Sequence, residues 1–403
     1  MRINYIVTGA SGFIGKYLIN FLKFFENNQE NPYLIHAIDI NPYSKEEIKE
    51  NPTNIKFYKS DINNPGESTA LILDQILSTL NEEELKNTVI YHFASTVGPT
   101  KITPEASKFD FELNFGIYQV LKKYTINRFY FTSSSEIYGE QDIFDENGSL
   151  VINSGPDTSF RKQYALQKIS AENLFLTHFR STNQGECIIL RLFNIVGCGQ
   201  KPGFVISNFN EIQKYNLDIL KNLDDILETS SDTEEIEEIL NRFKKFPIHN
   251  SGDQSRTFTS IYDLIKVFQS LEIFRKNPKK LKSKNNEIIN NIINIANIKN
   301  NYSINQVSNK YIDIFKKIVE GAKEILLQKE KETIELSEKD YKKLEFYNTL
   351  LKIDNEFFIE RIEVDPELVN QKIRNPLVYK LYKVLKYEPE ISLENIILDC
   401  MDL

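Results

Sequence analysis

The first half of the chain alternates short apolar runs with amphipathic stretches. "INYIVTG", "YLIHAIDI", "IKFYKSDI", "TVIYHFAS" and "RFYFTSSS" read as buried strands, and "FIGKYLINFLKFF", "STALILDQILSTL" and "FGIYQVLKKYT" between them carry apolar residues at helical spacing. Strand and helix in turn predict an α/β fold, a doubly wound parallel sheet (Rossmann) with helices on both faces. "ALQKISAENLFLTHFR" follows as a long amphipathic helix, and "CIILRLFNIVG" as a further buried strand running into a glycine loop. The alternation predicts one domain over 1–195 and a smaller C-terminal α/β region over 196–403. Within the latter, residues 217–245 and 315–360 set an apolar stripe against an acidic or mixed-charge face, which predicts two solvated helical insertions.

Composition narrows the classes of function. The 403 residues are 41% hydrophobic and 26% charged, enough for one large or two modest domains with a sizeable core. A net charge of −8 argues against nucleic acid and against an anionic membrane surface as partners. Cys187, Cys198 and Cys400 show no CxxC or Cys/His spacing, so neither a disulfide framework nor a metal site is expected, and a reducing cytoplasm fits best. No apolar run is long enough to span a bilayer, and the first strand begins too early to leave room for a signal peptide.

The candidate chemistry begins in "VTGASGFIGKYL", where Gly9, Gly12 and Gly15 lie between the first strand and the first helix. Glycines there permit a tight turn and close backbone approach to a pyrophosphate, which a helix N-terminus attracts. Asp39, ending the second strand, stands at the separation expected of a carboxylate that binds ribose hydroxyls. No Arg or Lys directly follows it, which favours NAD over NADP. Asp61 closes the next strand and either meets the adenine edge or caps a helix or turn. "YALQK" then places Tyr164 and Lys168 four apart, on one helix face. The lysine cation, with a positively charged nicotinamide, is expected to lower the phenol pKa toward neutrality and make Tyr164 a base for a sugar hydroxyl.

In combination, "TGASGFIG", Asp39, "SDI", "HFAS", "TSSSEIYG", "YALQK", "RLFNIVGCGQ", "GDQSRTFTSIYDL" and "YKVLKYEPEISLENII" resemble the extended short-chain dehydrogenase/reductases, specifically the NAD-dependent nucleotide-sugar epimerase/dehydratase group. The matching pieces run in family order over nearly the whole chain outside the two insertions. The resemblance implies oxidation of a nucleotide sugar at C4 by bound NAD, with Tyr164 as base, Lys168 orienting it and binding ribose, and Ser134 hydrogen-bonding O4. It implies cofactor contacts from Gly9, Gly12, Phe13, Ile14, Gly15, Asp39, Asp61, Ile62, Ala94, Tyr164 and Lys168. Asn194 and Arg256 match diphosphate-binding positions, and the family suggests a homodimer through a four-helix interface that includes the Tyr164 helix. Val196 and Cys198 depart from the usual Tyr and Pro, and "NFGIY" matches the family's helix start only loosely at Asn114.

Glu136 separates the possible reactions. A plain 4-epimerase needs no second carboxylate, whereas a 4,6-dehydratase needs a base for the C5 proton and an acid for the C6 hydroxyl. Sugar dehydratases of this family often carry Thr-Asp-Glu where this chain has Ser134, Ser135 and Glu136; the hydroxyl-Ser-Glu set is similar to that of UDP-glucuronic acid decarboxylases and, in part, of GDP-mannose dehydratases, so Glu136 points away from a plain 4-epimerase without choosing between elimination and decarboxylation. Ser135 is placed on the substrate by that match, and Arg161 matches an Arg in the decarboxylases that would pair with a substrate carboxylate. Epimerase/dehydratase chemistry is the broad expectation, with decarboxylation as the alternative. A catalytically silent NAD-binding scaffold is the rival of a different class.

Overall fold

The structure is a computed structural model that describes residues 2–28, 32–41, 54–61, 64–96, 104–139, 143–146, 160–229, 234–276, 291–332, 335–364 and 375–401. It divides into two compact units. The first comprises 1–199, 257–299 and 374–391, and the second 200–256, 300–373 and 392–403. Two segments beyond residue 196 thus return to the first unit, where the sequence pattern had suggested a single boundary.

The first unit is built on seven strands: β1 (Ile3–Thr8), β2 (Tyr33–Asp39), β3 (Ile55–Lys59), β4 (Thr88–His92), β5 (Arg128–Ser134), β6 (Glu186–Leu192) and β7 (Asn291–Ile295). They form one sheet in the order β7-β6-β5-β4-β1-β2-β3, with every neighbouring pair parallel. This is the Rossmann arrangement expected from the alternating pattern. All positions of β1, β2 and β4 are buried, as strands covered on both faces require.

Side chains alternate between two cores. Tyr5 and Val7 join Leu18, Leu22, Leu264 and Phe268 on one face, under α1 (Phe13–Asn27) and the later helix Ile261–Lys276. Ile6 and Ile38 join Leu73, Ile117 and Phe175 on the other, under α2 (Pro65–Ser78), α3 (Pro104–Leu121) and α4 (Phe160–Thr182).

The chain leaves β1 toward β2 on one side and reaches β4 on the other, so the order reverses between β1 and β4. Their ends, Thr8 and His92, are register partners, and ligands in such sheets bind at this reversal, beyond the carboxyl ends of the strands. The late "YKVLKYEPEI" segment is tied back by Asp263: its carboxylate accepts from Tyr387 Oη at 2.6 Å and from the N–H groups of Glu390 and Ile391.

In the second unit, both charged segments are helical among the described residues. The first spans the end of the helix Val205–Lys221 and the helices Leu223–Thr229 and Glu234–Arg242. The second spans the latter part of Ile304–Lys331 and the helix Glu338–Lys352. They do not stand as separate solvated insertions. Phe243 meets the rings of Phe315, Phe346 and Phe358 at 5.5, 6.5 and 6.4 Å. Lys339 and Lys343 pair with Asp224, and Phe246–His249 pairs in parallel with Ile359–Ile362. The two apolar stripes bury each other, leaving the charged faces outward.

Phe243→Ala is expected to destabilise this unit by about 3–5 kcal/mol, as truncation of a buried aromatic does. Tyr341→Ala, at a 54% exposed position, should change stability by less than about 0.5 kcal/mol. Urea denaturation of the two variants checks this.

Candidate active site

The turn after β1 is shaped by backbone approach. Gly9 has φ +71, and a Cβ there would lie 2.7 Å from the Ala94 nitrogen and 2.8 Å from the Phe93 carbonyl carbon. A side chain at Gly9 would therefore face both an unfavourable backbone conformation and a backbone collision. A Cβ on Gly15 would overlap the carbonyl oxygens of Gly9 and Ala10, so α1 can pack this closely only through glycine. Gly12 is the N-cap of α1 and has no side chain to bond the first-turn N–H groups, which leaves that end suited to an anion. Phe13 and Ile14 pack partly buried against the core below.

Asp39 ends β2 and bonds back to this turn. Its Oδ2 accepts from Ser11 N–H at 3.0 Å and its Oδ1 from Asn41 N–H at 2.8 Å. Asn41 Nδ2 adds a longer bond to Oδ1 at 3.4 Å, so of the carboxylate's roughly four lone-pair sites about one is left for a further donor. Asp61 is exposed just past β3, its N–H donating to Ser68 Oγ at 2.8 Å. Ile62 lies outside the described residues.

Below the turn runs a buried chain of hydrogen bonds. Ala94 N–H donates to Thr8 Oγ1 at 3.3 Å, Thr8 Oγ1 and His92 Nδ1 are 2.6 Å apart, and His92 Nε2 is 3.0 Å from Asn114 Oδ1. Asn114 donates in turn to the Asp110 carbonyl at 2.7 Å. The amide oxygen can only accept, so His92 carries its proton on Nε2 and accepts a hydrogen bond from the Thr8 hydroxyl at Nδ1, an assignment from the network. Burial, with the Lys168 charge nearby, lowers the His92 pKa to about 3. The ring is neutral and structural.

Beyond β5 the serine run forms a single 3-10 turn, Ser135–Tyr138. Ser134 caps it by accepting from Glu136 N–H at 3.2 Å. Ser135 is buried and Glu136 half-buried. The Ser134 hydroxyl lies close enough to the Tyr164 phenol to favour its ionised form. Lys168, one helical turn on and 2% exposed, donates to the Thr132 carbonyl at 3.1 Å and lies 5.7 Å from the Tyr164 ring.

Behind them Arg191 grips Glu172 with two bonds, of 3.0 and 2.7 Å, and donates to Tyr138 Oη at 2.9 Å. This ion pair ties α4 to β6 and to the serine turn. The structure thus brings Ser134, Glu136, Tyr164 and Lys168 together at the end of β5.

The chain's own groups act on the phenol in the opposite sense to a nicotinamide cation. The Tyr164 phenol is pushed up, not down: burial raises it most, Asp110 and Glu136 add to this, and the Ser134 hydroxyl opposes them. The Lys168 ammonium is lowered by burial and supported by Asp110 and Glu172. Tyr/Lys spacing places the groups but carries no information on desolvation, which here dominates.

Asn194, with φ +32, donates to the Thr257 carbonyl at 3.0 Å. Arg256 belongs to the second unit, in the strand Ser255–Thr257, and donates to its neighbour's carbonyl at 2.8 Å. The side chain of Arg161 is outside the described residues. Asp110, Glu172 and Arg191 had no place in the sequence reading; the Asp110/Asn114 spacing of four was the available signal for the first.

Residues 5–279 match the NAD dependent epimerase/dehydratase family. The chain belongs to that family. Among curated proteins it is 27% identical over 319 residues to the bifunctional polymyxin resistance protein ArnA of Wigglesworthia glossinidia brevipalpis, covering 77% of this chain and 41% of that protein. It is 26% identical over 277 residues to dTDP-D-glucose 4,6-dehydratase of Dictyostelium discoideum, covering 65% and 54%. The chain thus spans about half the length of these curated relatives.

Among solved structures, UDP-glucose 4-epimerase of Thermotoga maritima, with UDP-glucose, superposes with a TM-score of 0.64 at 17% identity, covering 99% of this chain and 98% of that one. UDP-glucuronic acid 4-epimerase of Bacillus cereus, with UDP-glucuronic acid and NAD, gives 0.62 at 20%, covering 99% and 98%. At such identities the likeness shows the fold. NAD is the cofactor for which the epimerase/dehydratase family is named, and a glycine cradle that a single Cβ would fill, ending at an uncapped helix N-terminus, suits its pyrophosphate.

Because folding depresses the His92 pKa from 6.5 to about 3, the stability its neutral ring supports is complete above about pH 6.5 and is lost as pH falls toward 3. His36, lowered to about 4 chiefly by burial, acts with the same sign. The contribution lost per ring one pH unit below 6.5 is about 1.4 kcal/mol. Thermal unfolding midpoints should therefore fall less steeply between pH 6.5 and 5 in His92→Gln than in the native chain.

Proposed function

We propose that the chain is an NAD-dependent enzyme that acts on a nucleotide sugar through a 4-keto intermediate. NAD, when bound, supplies the hydride acceptor and, in its oxidised form, a positive charge. Tyr164 takes the O4 proton as the C4–H bond breaks. Ser134 bonds O4, and Lys168 orients the phenol. The observation that carries this reading is the gathering of Ser134, Tyr164 and buried Lys168 at the end of β5, with Lys168 held by the Thr132 carbonyl and 5.7 Å from the Tyr164 ring. The chain's own groups hold the phenol protonated, so its action as a base depends on the charge that oxidised nicotinamide brings. Asp39 is assigned to the adenosine ribose, and Asn194 and Arg256 to the substrate diphosphate, roles that rest on the family motifs.

Glu136, half-buried and close enough to raise the Tyr164 pKa, is assigned to the steps after oxidation. Ser135 has no acid to give a leaving C6 hydroxyl, and this favours decarboxylation of a 4-keto sugar acid as the second reading. That acid is a β-keto acid and loses CO2 without an elimination acid.

Mass spectrometry of products from neutral and uronic nucleotide sugars separates the outcomes. Loss of water, loss of CO2 or an isomer of equal mass identifies the dehydratase, decarboxylase or epimerase, and tight NAD binding without any product supports the scaffold. Tyr164→Phe is expected to lower turnover by about 10²–10⁴-fold, the usual worth of a positioned base, with NAD binding retained. Unchanged turnover removes Tyr164 from that role.

The same reading proposes a homodimer through α3 and α4. Phe111 and Phe115 stack 6.2 Å apart on α3 while 55% and 44% exposed, and Leu166 on α4 is 38% exposed. Contiguous apolar exposure of this kind marks association surfaces. Light scattering should give about twice the 47.0 kDa chain mass, and the double variant Phe111→Ser/Phe115→Ser should return it to the monomer value.

A further inference from the structure

We infer that Asn294 is a positioning residue for the serine turn: a buried amide on the edge strand of the sheet that, through the Tyr138 phenol, sets the place of Glu136. The inference rests on the reading of Glu136 as a group that acts after the sugar is oxidised.

Tyr138 closes the 3-10 turn that holds Glu136, and its phenol oxygen meets the last two strands of the sheet. Its Oη is 2.8 Å from Asn294 Oδ1 and 2.9 Å from Arg191 Nη1. Asn294 on β7 and Arg191 on β6 are register partners, so two neighbouring strands present their side chains to one oxygen. The guanidinium can only donate. Burial, opposed by Arg191, pushes the Tyr138 pKa up to about 12, so the phenol keeps its proton and donates it to the amide oxygen.

The remaining groups of Asn294 are also engaged. Its Nδ2 donates to the carbonyls of Phe144 at 3.0 Å and Leu377 at 2.9 Å, and its N–H to Glu146 Oε2 at 2.8 Å. The other Glu146 oxygen accepts from Lys380 N–H at 2.7 Å. A reversed amide would aim its oxygen at two carbonyls, in a place that is 0% exposed, so the network assigns the orientation. Ile143–Phe144 pairs in parallel with Asn375–Pro376. One amide therefore joins the sheet edge, the residues that follow the serine turn and the returning segment 374–391.

A single 3-10 turn has poor hydrogen-bond geometry and little stiffness of its own. Its start is fixed, because Ser134 is paired with Leu192 in the β5–β6 ladder. Glu136 stands two residues on. Beyond it the turn is anchored by Tyr138, whose ring stacks on Phe144 at 4.8 Å and whose hydroxyl is held by Asn294 and Arg191. Stacking alone lets a ring slide in its plane; two bonds to the hydroxyl stop it. Ser134 and Lys168 take their positions from β5 and α4, and α4 stays tied to β6 through Arg191 and Glu172. The influence of Asn294 therefore falls on Glu136 more than on the groups that serve oxidation.

The first readout needs no substrate. Hydrogen–deuterium exchange of the full chain, followed by mass spectrometry, measures the amides of residues 135–139. Tyr138→Phe keeps the ring and removes the bond to Asn294; Asn294→Ala removes it from the other side. Each should speed exchange over 135–139 about tenfold, the scale of one hydrogen bond, with β1 and β5 exchanging as in the native chain. The double variant should exchange no faster than the faster single one, and Tyr138→Phe decides alone should Asn294→Ala not fold. Unchanged exchange over 135–139, or an equal rise throughout the sheet, overturns the inference.

The second readout separates two steps. With NAD and UDP-glucose or UDP-glucuronic acid, whichever is turned over, absorbance of the reduced cofactor follows oxidation in a single turnover. In Tyr138→Phe oxidation should keep its native rate while the later step slows about tenfold, so that reduced cofactor accumulates, as it should in Glu136→Gln. Equal slowing of both steps marks a merely structural role and overturns the inference. A native later step in Glu136→Gln instead overturns the role given to Glu136, and the exchange result then decides whether Asn294 holds the turn.

Discussion

The close approach of two strand ends, β1 and β4, is the constraint on which the first unit depends. Gly9 sits against Ala94 where no side chain fits, and just below it the Thr8, His92 and Asn114 bonds join β1, β4 and α3. A neutral imidazole is suited to this place because it accepts at one nitrogen and donates at the other, satisfying both neighbours without a buried charge. The reversal of strand order opens here, so the same contacts that close the core also fix the floor of the cofactor turn and the helix that carries Asp110.

The charged groups nearby are arranged against the usual preference of a protein interior. Glu172 and Arg191 are both buried, and such a pair adds little net stability, because desolvation offsets most of the attraction. Its geometry has a different consequence: two bonds between the carboxylate and the guanidinium, and a third to Tyr138, fix α4 relative to the turn that holds Glu136. Removing either partner would leave a buried charge uncompensated, so the register between Lys168 and Ser134 is strongly specified.

Much of this was legible in the sequence because it depends on local pattern. The continuous apolar runs fixed β1, β2 and β4, the glycine spacing located the turn, and a separation of four placed Tyr164 and Lys168 on one face. The failures have physical causes. The Tyr164 pKa direction depends on burial, which residue spacing does not encode. Asp110 sits in "KFDFELNF", where a polar residue among aromatics reads as a helix's solvent side; only the fold reveals that this side faces Ser95. The two charged segments advertised apolar stripes correctly, but a stripe does not name its partner, and the partner proved to be the other stripe through Phe243, Phe315, Phe346 and Phe358. The return of 257–299 and 374–391 to the first unit is a long-range event of the same kind.

The hydroxyl-rich end of β5 shows how few atoms serve several tasks. The Thr132 carbonyl holds Lys168, the Ser134 hydroxyl accepts the Glu136 N–H, and Ser135 is buried within the turn. Serine suits this position because its hydroxyl accepts from the turn and can still donate; an apolar residue would leave the Glu136 N–H short of a partner. The same strand end thus carries the turn that holds Glu136 and the carbonyl that holds Lys168.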